Sequence, residues 1–380
     1  MTTSGEAEAG SPPSLILFTV GVVAILIAGL QPVVLGALEH EGRLTLSQIG
    51  VAAMVELLAI GVACGLAAAF LPTRRMRLVL SLAAIAHAAV NLACIPAVGG
   101  GLIALRGLTG ALAGLMLWSC VAMIARSRRP ERLAGAFVTV QTLAQLAVAA
   151  ILPLTAMALA GAAGGFASLA FLSILTAAIV WRGPDALTAL AHADKTTGGL
   201  PKAAWAGLAA AFLQMAFNVS LFVYLEPLAD HAGMPAGMAG LATATILAAQ
   251  VVGGFAAIAA GGRLGAAPAL ILAMTAGLAS LAALWAAPAA GVFIAAAAIY
   301  GFAWLFSLPF HTALLIDLDP SRRGAMQLGA AQLLGSAFGP LAASVLVESE
   351  GIAGVAIFAA AAIGFSMAIV AATRRRPVEA

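Results

Sequence analysis

The sequence predicts an all-α polytopic membrane protein, with twelve transmembrane helices in two pseudo-symmetric six-helix bundles. Three observations predict it. Of 380 residues, 63 % are hydrophobic and only 9 % charged, against roughly 45–50 % and about 25 % in soluble domains, so a water-soluble globule is excluded. The apolar residues fall in runs of about 20, the length a helix needs to cross roughly 30 Å of hydrocarbon, and they lack the two-residue alternation of a lipid-embedded barrel. Sixteen of the 18 basic residues, finally, fall in every second connection between runs or in the C-terminal tail.

Segmentation by apolar runs places the first six spans near 15–38, 47–71, 78–97, 101–125, 133–160 and 162–181. The second six lie near 203–225, 236–260, 266–287, 291–315, 325–347 and 352–372. Only GAAGG separates the fifth from the sixth. Residues 1–14 form a polar, Pro/Ser-rich tail expected to be disordered, and the run behind them is too long for a signal-peptide core and reads as a retained span. With the N-terminus inside, all of the 18 basic residues except Arg43 and Arg106 fall in inside segments or tails. The outside loops instead carry Glu39, Glu41, Glu226, Asp230, Glu348 and Glu350. This positive-inside pattern predicts both termini in the cytoplasm of a cell membrane, the inner membrane in a Gram-negative cell. The net charge of +3 therefore reports topology, and no nucleic-acid partner is expected.

Residues 182–202 form the longest hydrophilic interior segment, a linker between an N-terminal bundle (15–181) and a C-terminal bundle (203–372), with a basic tail at 373–380. An offset of 189 residues aligns Gly65 with Gly254, Arg74 with Arg263 and Gly135 with Gly324, an echo at equivalent helix ends. Parallel six-helix repeats are one way secondary transporters are built. Cys64, Cys94 and Cys120 lie singly in apolar runs, without metal-site or disulfide spacing. No nucleophile elbow, Walker loop or HExxH stands in the chain, so neither enzyme chemistry nor a nucleotide-driven pump is expected, and no metal or cofactor beyond an ion gradient.

Three stretches resemble the major facilitator superfamily. The basic loop AAAFLPTRRMR after span two is echoed by GGRLG after span eight, RGLTGALAG (106–114) stands in span four, and LGSAFGPLAASVL (334–346) in span eleven. The resemblance covers nearly the whole chain and implies a transporter with a central cavity lined by spans one, four, seven and ten. It also implies gating roles for loop residues Arg74, Arg75 and Arg263. The family's loop Asp is missing here, and span five lacks the Gly-Pro stretch typical of drug/proton antiporters.

The ionisable and amide residues inside the spans carry the chemical expectations. Glu56 sits about nine residues into span two, roughly 14 Å deep at 1.5 Å per residue, where a charge costs about 2.5–3.5 kcal/mol. It reads as a proton carrier, or as a structural hydrogen-bonding group. Arg106, with small residues along its face, reads as its counter-ion, as an anchor for an anionic solute, or as a side chain snorkelling to the interface. His87 and Asn91 share one face of span three, the imidazole able to pass protons or to act as a structural donor. Gln31, Gln141, Gln145, Gln214, Asn218 and Gln250 offer amides that can orient a solute or join helices. His311 can line the inner vestibule and Trp304 an apolar wall. The expected function is a monomeric, proton-coupled secondary transporter of a small organic solute, an anionic group being favoured by the embedded Arg106, working in the lipid bilayer by alternating access. The alternatives are proton-driven efflux of lipophilic or cationic compounds and a transporter-like receptor or assembly factor that moves nothing.

Overall fold

The computed structural model describes residues 12–127, 130–187, 200–260, 263–286, 289–320 and 322–374. The N-terminal tail through residue 11, most of the linker (188–199) and the basic tail from residue 375 lie outside them. Among the described residues there are thirteen α-helices, and twelve are long and apolar enough to cross a bilayer. They are α1 Pro12–His40, α2 Leu46–Phe70, α3 Met76–Ala93, α4 Gly99–Ile124, α5 Pro130–Ile151 and α6 Ala156–Val180. After the linker come α7 Lys202–Val223, α8 Leu225–His231, α9 Met238–Ala260, α10 Ala266–Trp285, α11 Ala290–Leu318, α12 Arg323–Glu350 and α13 Ala353–Arg374.

Two departures from the expected segmentation have local causes. The fifth span ends at Ile151, not near residue 160, because Pro153 lacks an N–H and the chain tightens into a 3-10 turn at Leu152–Leu154. GAAGG is instead a kink inside α6, where Gly161 takes φ +55° and Gly164 lies so close to Ala156 that a Cβ would stand 2.0 Å from its carbonyl oxygen. The short α8 escaped the sequence reading because its seven residues include Glu226, Asp230 and His231.

By packing, the chain falls into two compact units, Met1–Gly29 with Val55–Thr196 and Leu30–Met54 with Thr197–Ala380. The division follows the two expected halves except that the end of α1, the turn after it and the start of α2 belong with the C-terminal helices. That hairpin is seated through Gly50, whose N–H donates to the Tyr224 hydroxyl (3.0 Å) and whose missing Cβ would stand 2.2 Å from the Pro340 carbonyl oxygen.

In the first unit α3 packs on α4 and α6, and α2 crosses α4 at backbone contact. A Cβ on Gly110 would lie 2.4 Å from the Glu56 carbonyl oxygen, and one on Gly114 2.3 Å from that of Ile60. The second unit repeats this crossing between α9 and α11, where a Cβ on Gly301 would lie 2.3 Å from the Ile246 carbonyl oxygen. Small residues let the backbones touch, which is how helices associate in a solvent as apolar as their own side chains. The repeat is therefore built into the packing, and Gly110 and Gly301 are its matching points. By this contact Glu56 corresponds to Ile246, one residue beyond the Thr245 that the offset of 189 selects.

The basic loop after α2 is stitched to the start of the linker. Arg74 and Ala186 form an isolated antiparallel bridge, the Leu187 N–H donates to the Thr73 carbonyl (3.0 Å), and the Arg77 guanidinium donates to the Gly183 carbonyl (2.8 Å). Asp185 accepts from the Arg77 N–H at 3.3 Å, giving the first turn of α3 a carboxylate from outside its own chain segment.

Candidate functional site

The first unit holds a buried polar chain through four helices. The Arg106 guanidinium on α4 is ion-paired through Nη2 to Glu56 Oε1 on α2, and the two side chains are 1 % and 2 % exposed. Arg106 Nη1 donates to Asn91 Oδ1 on α3 (3.2 Å), and the guanidinium carbon stands 5.4 Å from the centre of the Phe166 ring on α6. Asn91 in turn donates to the His87 carbonyl at 2.9 Å. His87 Nδ1 meets Ser173 Oγ at 2.8 Å, and that hydroxyl gives its own hydrogen to the Leu169 carbonyl (2.8 Å). Ser173 therefore accepts, and His87 carries a hydrogen on Nδ1. Arg106 Nε is buried without a partner.

The structure brings Glu56, Arg106, Asn91 and His87 together, whereas the sequence reading paired Glu56 with Arg106 in one of its alternatives and His87 with Asn91 separately. The arrangement differs in kind from an open ligand site, because all four are buried in helix contacts. Desolvating two ions costs several kcal/mol each, and their mutual attraction offsets this only with close geometry and further hydrogen bonds, which Asn91 supplies. The crossing of α9 and α11 shows what the same contact looks like without charges. Where Glu56 stands at the touch point there is Ile246, and one turn before Gly301, as Arg106 stands before Gly110, there is Ala297. Both are fully buried. The crossing of α9 and α11 packs with no ion pair at these two positions.

Gln145 on α5 is committed to the first unit's interior, its Nε2 donating to the Ile25 carbonyl on α1 (2.9 Å) against Gly29. Gln141, one turn earlier, is half-buried.

The second unit holds a separate polar face where α7 meets α11. Gln214 Nε2 donates to Ser307 Oγ (2.8 Å), whose hydroxyl donates to the Trp304 carbonyl (2.7 Å), so the amide oxygen must face His311. His311 Nε2 donates to that oxygen at 2.6 Å, leaving its buried Nδ1 without a partner. Asn218, one turn from Gln214, accepts the Tyr300 hydroxyl on its carbonyl, while its side-chain Nδ2 is buried and unpartnered. Gln31 on α1, in the same unit, likewise has an orphan Nε2. Buried polar atoms without protein partners are rare and mark places where water or a solute completes the bonding. Trp304, half-buried, packs edge-on against Phe222 (5.7 Å) and beside Tyr300 (5.8 Å). Gln250 is buried on α9.

Of the loop residues, Arg74 lies in the stitched segment, Arg75 takes a left-handed conformation (φ +55°) before α3, and Arg263 is exposed after α9. Sequence reasoning did not find Asp185, Tyr224 or the outer trio His40, Glu226 and Asp230. Tyr224 stands at the very end of the seventh run and Glu226 just past it, where nothing in the sequence announces a hydrogen bond made far along the chain.

No protein-family model and no curated protein matches the sequence. Solved structures do match along almost its full length. The chain is similar to a bacterial homologue of the human lysosomal transporter Spinster in an inward-facing, unoccupied conformation (TM-score 0.73, 14 % identity, 98 % of this chain and 100 % of that one). It is also similar to the nucleoside transporter NupG (TM-score 0.67, 12 % identity, 96 % of this chain and 98 % of that one). With twelve apolar spans and a glycine-mediated crossing repeated in both halves, the chain has the fold of the major facilitator superfamily, as its loop and helix motifs imply.

Proposed function

We propose that this protein is a proton-coupled secondary transporter of a small organic solute carrying an anionic group, working by alternating access. The observation that carries the reading is the Glu56–Arg106 pair, standing where the matching crossing of the other half is apolar. An ion pair dispensable for packing and expensive to bury is kept for another purpose. Arg106 retains its positive charge whatever the pH, so it needs one negative partner at all times. Glu56 supplies it when ionised. When Glu56 takes up a proton, a solute carboxylate or comparable anion can replace it, and one proton accompanies one anion with the charge of the site conserved. Asn91 and Phe166 would hold the guanidinium in place during the exchange. In the second unit, the orphan atoms of Gln31, Asn218 and His311 are a separate set of groups able to bond a polar solute.

A screen of short organic anions by thermal shift at two pH values identifies the solute, since a ligand of the native state raises the melting temperature. Uptake into proteoliposomes under an imposed pH gradient then tests coupling. Glu56→Gln is expected to abolish pH-driven accumulation while leaving solute exchange. Unchanged uphill uptake in that variant removes the proton role.

Efflux of lipophilic cations is the second reading, favoured by the aromatic cluster of Phe222, Tyr300 and Trp304. It requires Glu56 to leave Arg106 and pair with the solute, and it predicts that cations, not anions, compete with protons.

A further inference from the structure

The helix α1 begins in the first unit and ends, at His40, in the second. There His40 Nε2 meets Asp230 Oδ2 at 2.6 Å and Nδ1 stands 3.9 Å from Glu226 Oε1, both carboxylates on α8. The three side chains line one cleft, and its other walls, from Ala229 and from the turn that leads into α9, add no charged group. Glu39, next to His40 on α1, adds a further negative charge. Arg43, in the turn after α1, pairs with Glu41 (3.2 Å), while His231 on α8 stacks on Trp285. Glu226 is folded over Gly36, where a Cβ would lie 2.4 Å from the Glu226 Cβ, and burial pushes its carboxyl up to about 7. One imidazole therefore faces three carboxylates where the tip of α1 meets α8.

We propose that His40, Asp230 and Glu226 form a proton-operated latch on the acidic face of the membrane, fastening the α1–α2 hairpin to α8 at low pH and releasing it as pH rises. The inference rests on the alternating-access reading above, and the latch lies within the second unit, where the α1–α2 hairpin and α8 both pack. Two effects act in the same direction. Protonated His40 pairs with Asp230, and this attraction is lost as the imidazole gives up its proton. Neutral Glu226 tolerates its cover, whereas the ionised form seeks water. Its carboxyl is raised in the fastened state above an ordinary value near 4.3, so the fastened state holds the extra proton from there to about 7 and loses that advantage across the same interval. The His40 and Asp230 side chains are about half exposed, so their pair shifts the equilibrium by only about fivefold. Proton release by Glu226 adds a factor of at most about ten per pH unit over its window.

The test uses the full chain in lipid nanodiscs with Cys64, Cys94 and Cys120 replaced by alanine. Spin labels go on Thr45→Cys and Ala236→Cys, and pulsed distance measurements run from pH 5 to 8.5. The short-distance population is expected to dominate at pH 5 and to fall relative to the long one by at least tenfold by pH 8.5. His40→Gln and Asp230→Asn should each flatten that change severalfold, and Glu226→Gln should hold the short distance at high pH. Two populations whose ratio ignores pH, or a His40→Gln profile identical to the parent, overturn the latch while leaving alternating access intact. A single distance at every pH overturns the latch and leaves alternating access untouched, since both labels lie on the second unit.

Discussion

Replacing the Glu56–Arg106 pair, one partner at a time and then together, separates its contribution to packing from its contribution to transport. Glu56→Leu leaves a guanidinium 1 % exposed with no carboxylate beside it, and Arg106→Met leaves the carboxylate in the same position. Breaking a buried pair by removing one partner costs about 3–5 kcal/mol, because the remaining charge stays uncompensated, whereas replacing both partners by apolar residues of similar volume is often neutral or stabilising. The second unit already contains that replacement, since Ile246 and Ala297 hold the equivalent crossing at full burial. Each single variant should therefore lose about 3–5 kcal/mol, and the double variant should recover to within about 1–2 kcal/mol of the parent. Thermal unfolding of the three purified proteins in detergent measures the stability, and pH-driven uptake in proteoliposomes measures the coupling. The double variant should be folded and uncoupled. A double variant as unstable as the sum of its parts refutes the argument that the crossing packs without charge. A double variant that is stable and still accumulates solute up a pH gradient refutes the coupling role.

Other consequences can be checked more briefly. Gly110→Leu places side-chain atoms against the Glu56 carbonyl, where even a Cβ would stand at 2.4 Å, and should cost about 1–3 kcal/mol or more, as should Gly301→Leu; tolerance of both removes the matched crossings from the account. Asp185→Ala removes the carboxylate at the N-terminus of α3 and should cost about 1 kcal/mol, read as faster proteolysis of the linker; Asp185→Asn should largely restore it. The partly buried Glu226 carboxyl, raised to about 7, adds stability that is complete below its unfolded value near 4.3 and is lost as pH rises through 7, so Glu226→Gln should melt higher than the parent at pH 8 and by much less at pH 5. An equal difference at both pH values contradicts it.

Most of the fold is legible because lipid enforces it: a run of about 20 apolar residues has no other stable arrangement in a membrane. The misplaced end of the fifth span shows where that legibility stops. Both ILPLT and GAAGG carry helix-breaking residues, and only the tertiary packing decides that Pro153 opens a turn while Gly161 bends a continuing helix. Within the site, Glu56 and Arg106 are conspicuous because few ionisable residues lie at depth, and His87 with Asn91 by their four-residue spacing. Their partners are not conspicuous. That Gln145 reaches the Ile25 carbonyl while Gln214 orients His311 depends on helix rotation, which a sequence of uniformly apolar spans hardly encodes. The trio at the acidic face, His40, Glu226 and Asp230, joins residues some 190 positions apart, and no local pattern connects them.

The two helices that the chain threads through both units change allegiance at chemically distinctive places. On α1 the crossover falls between Gly29 and Leu30, beside Pro32, which leaves the Ala28 carbonyl without its usual helical donor. On α2 it falls between Met54 and Val55, one residue before Glu56. Both changeovers fall inside a continuous helix, with no loop between the units at either place. A buried ion pair therefore begins one residue past the point where α2 passes from one packing environment to the other.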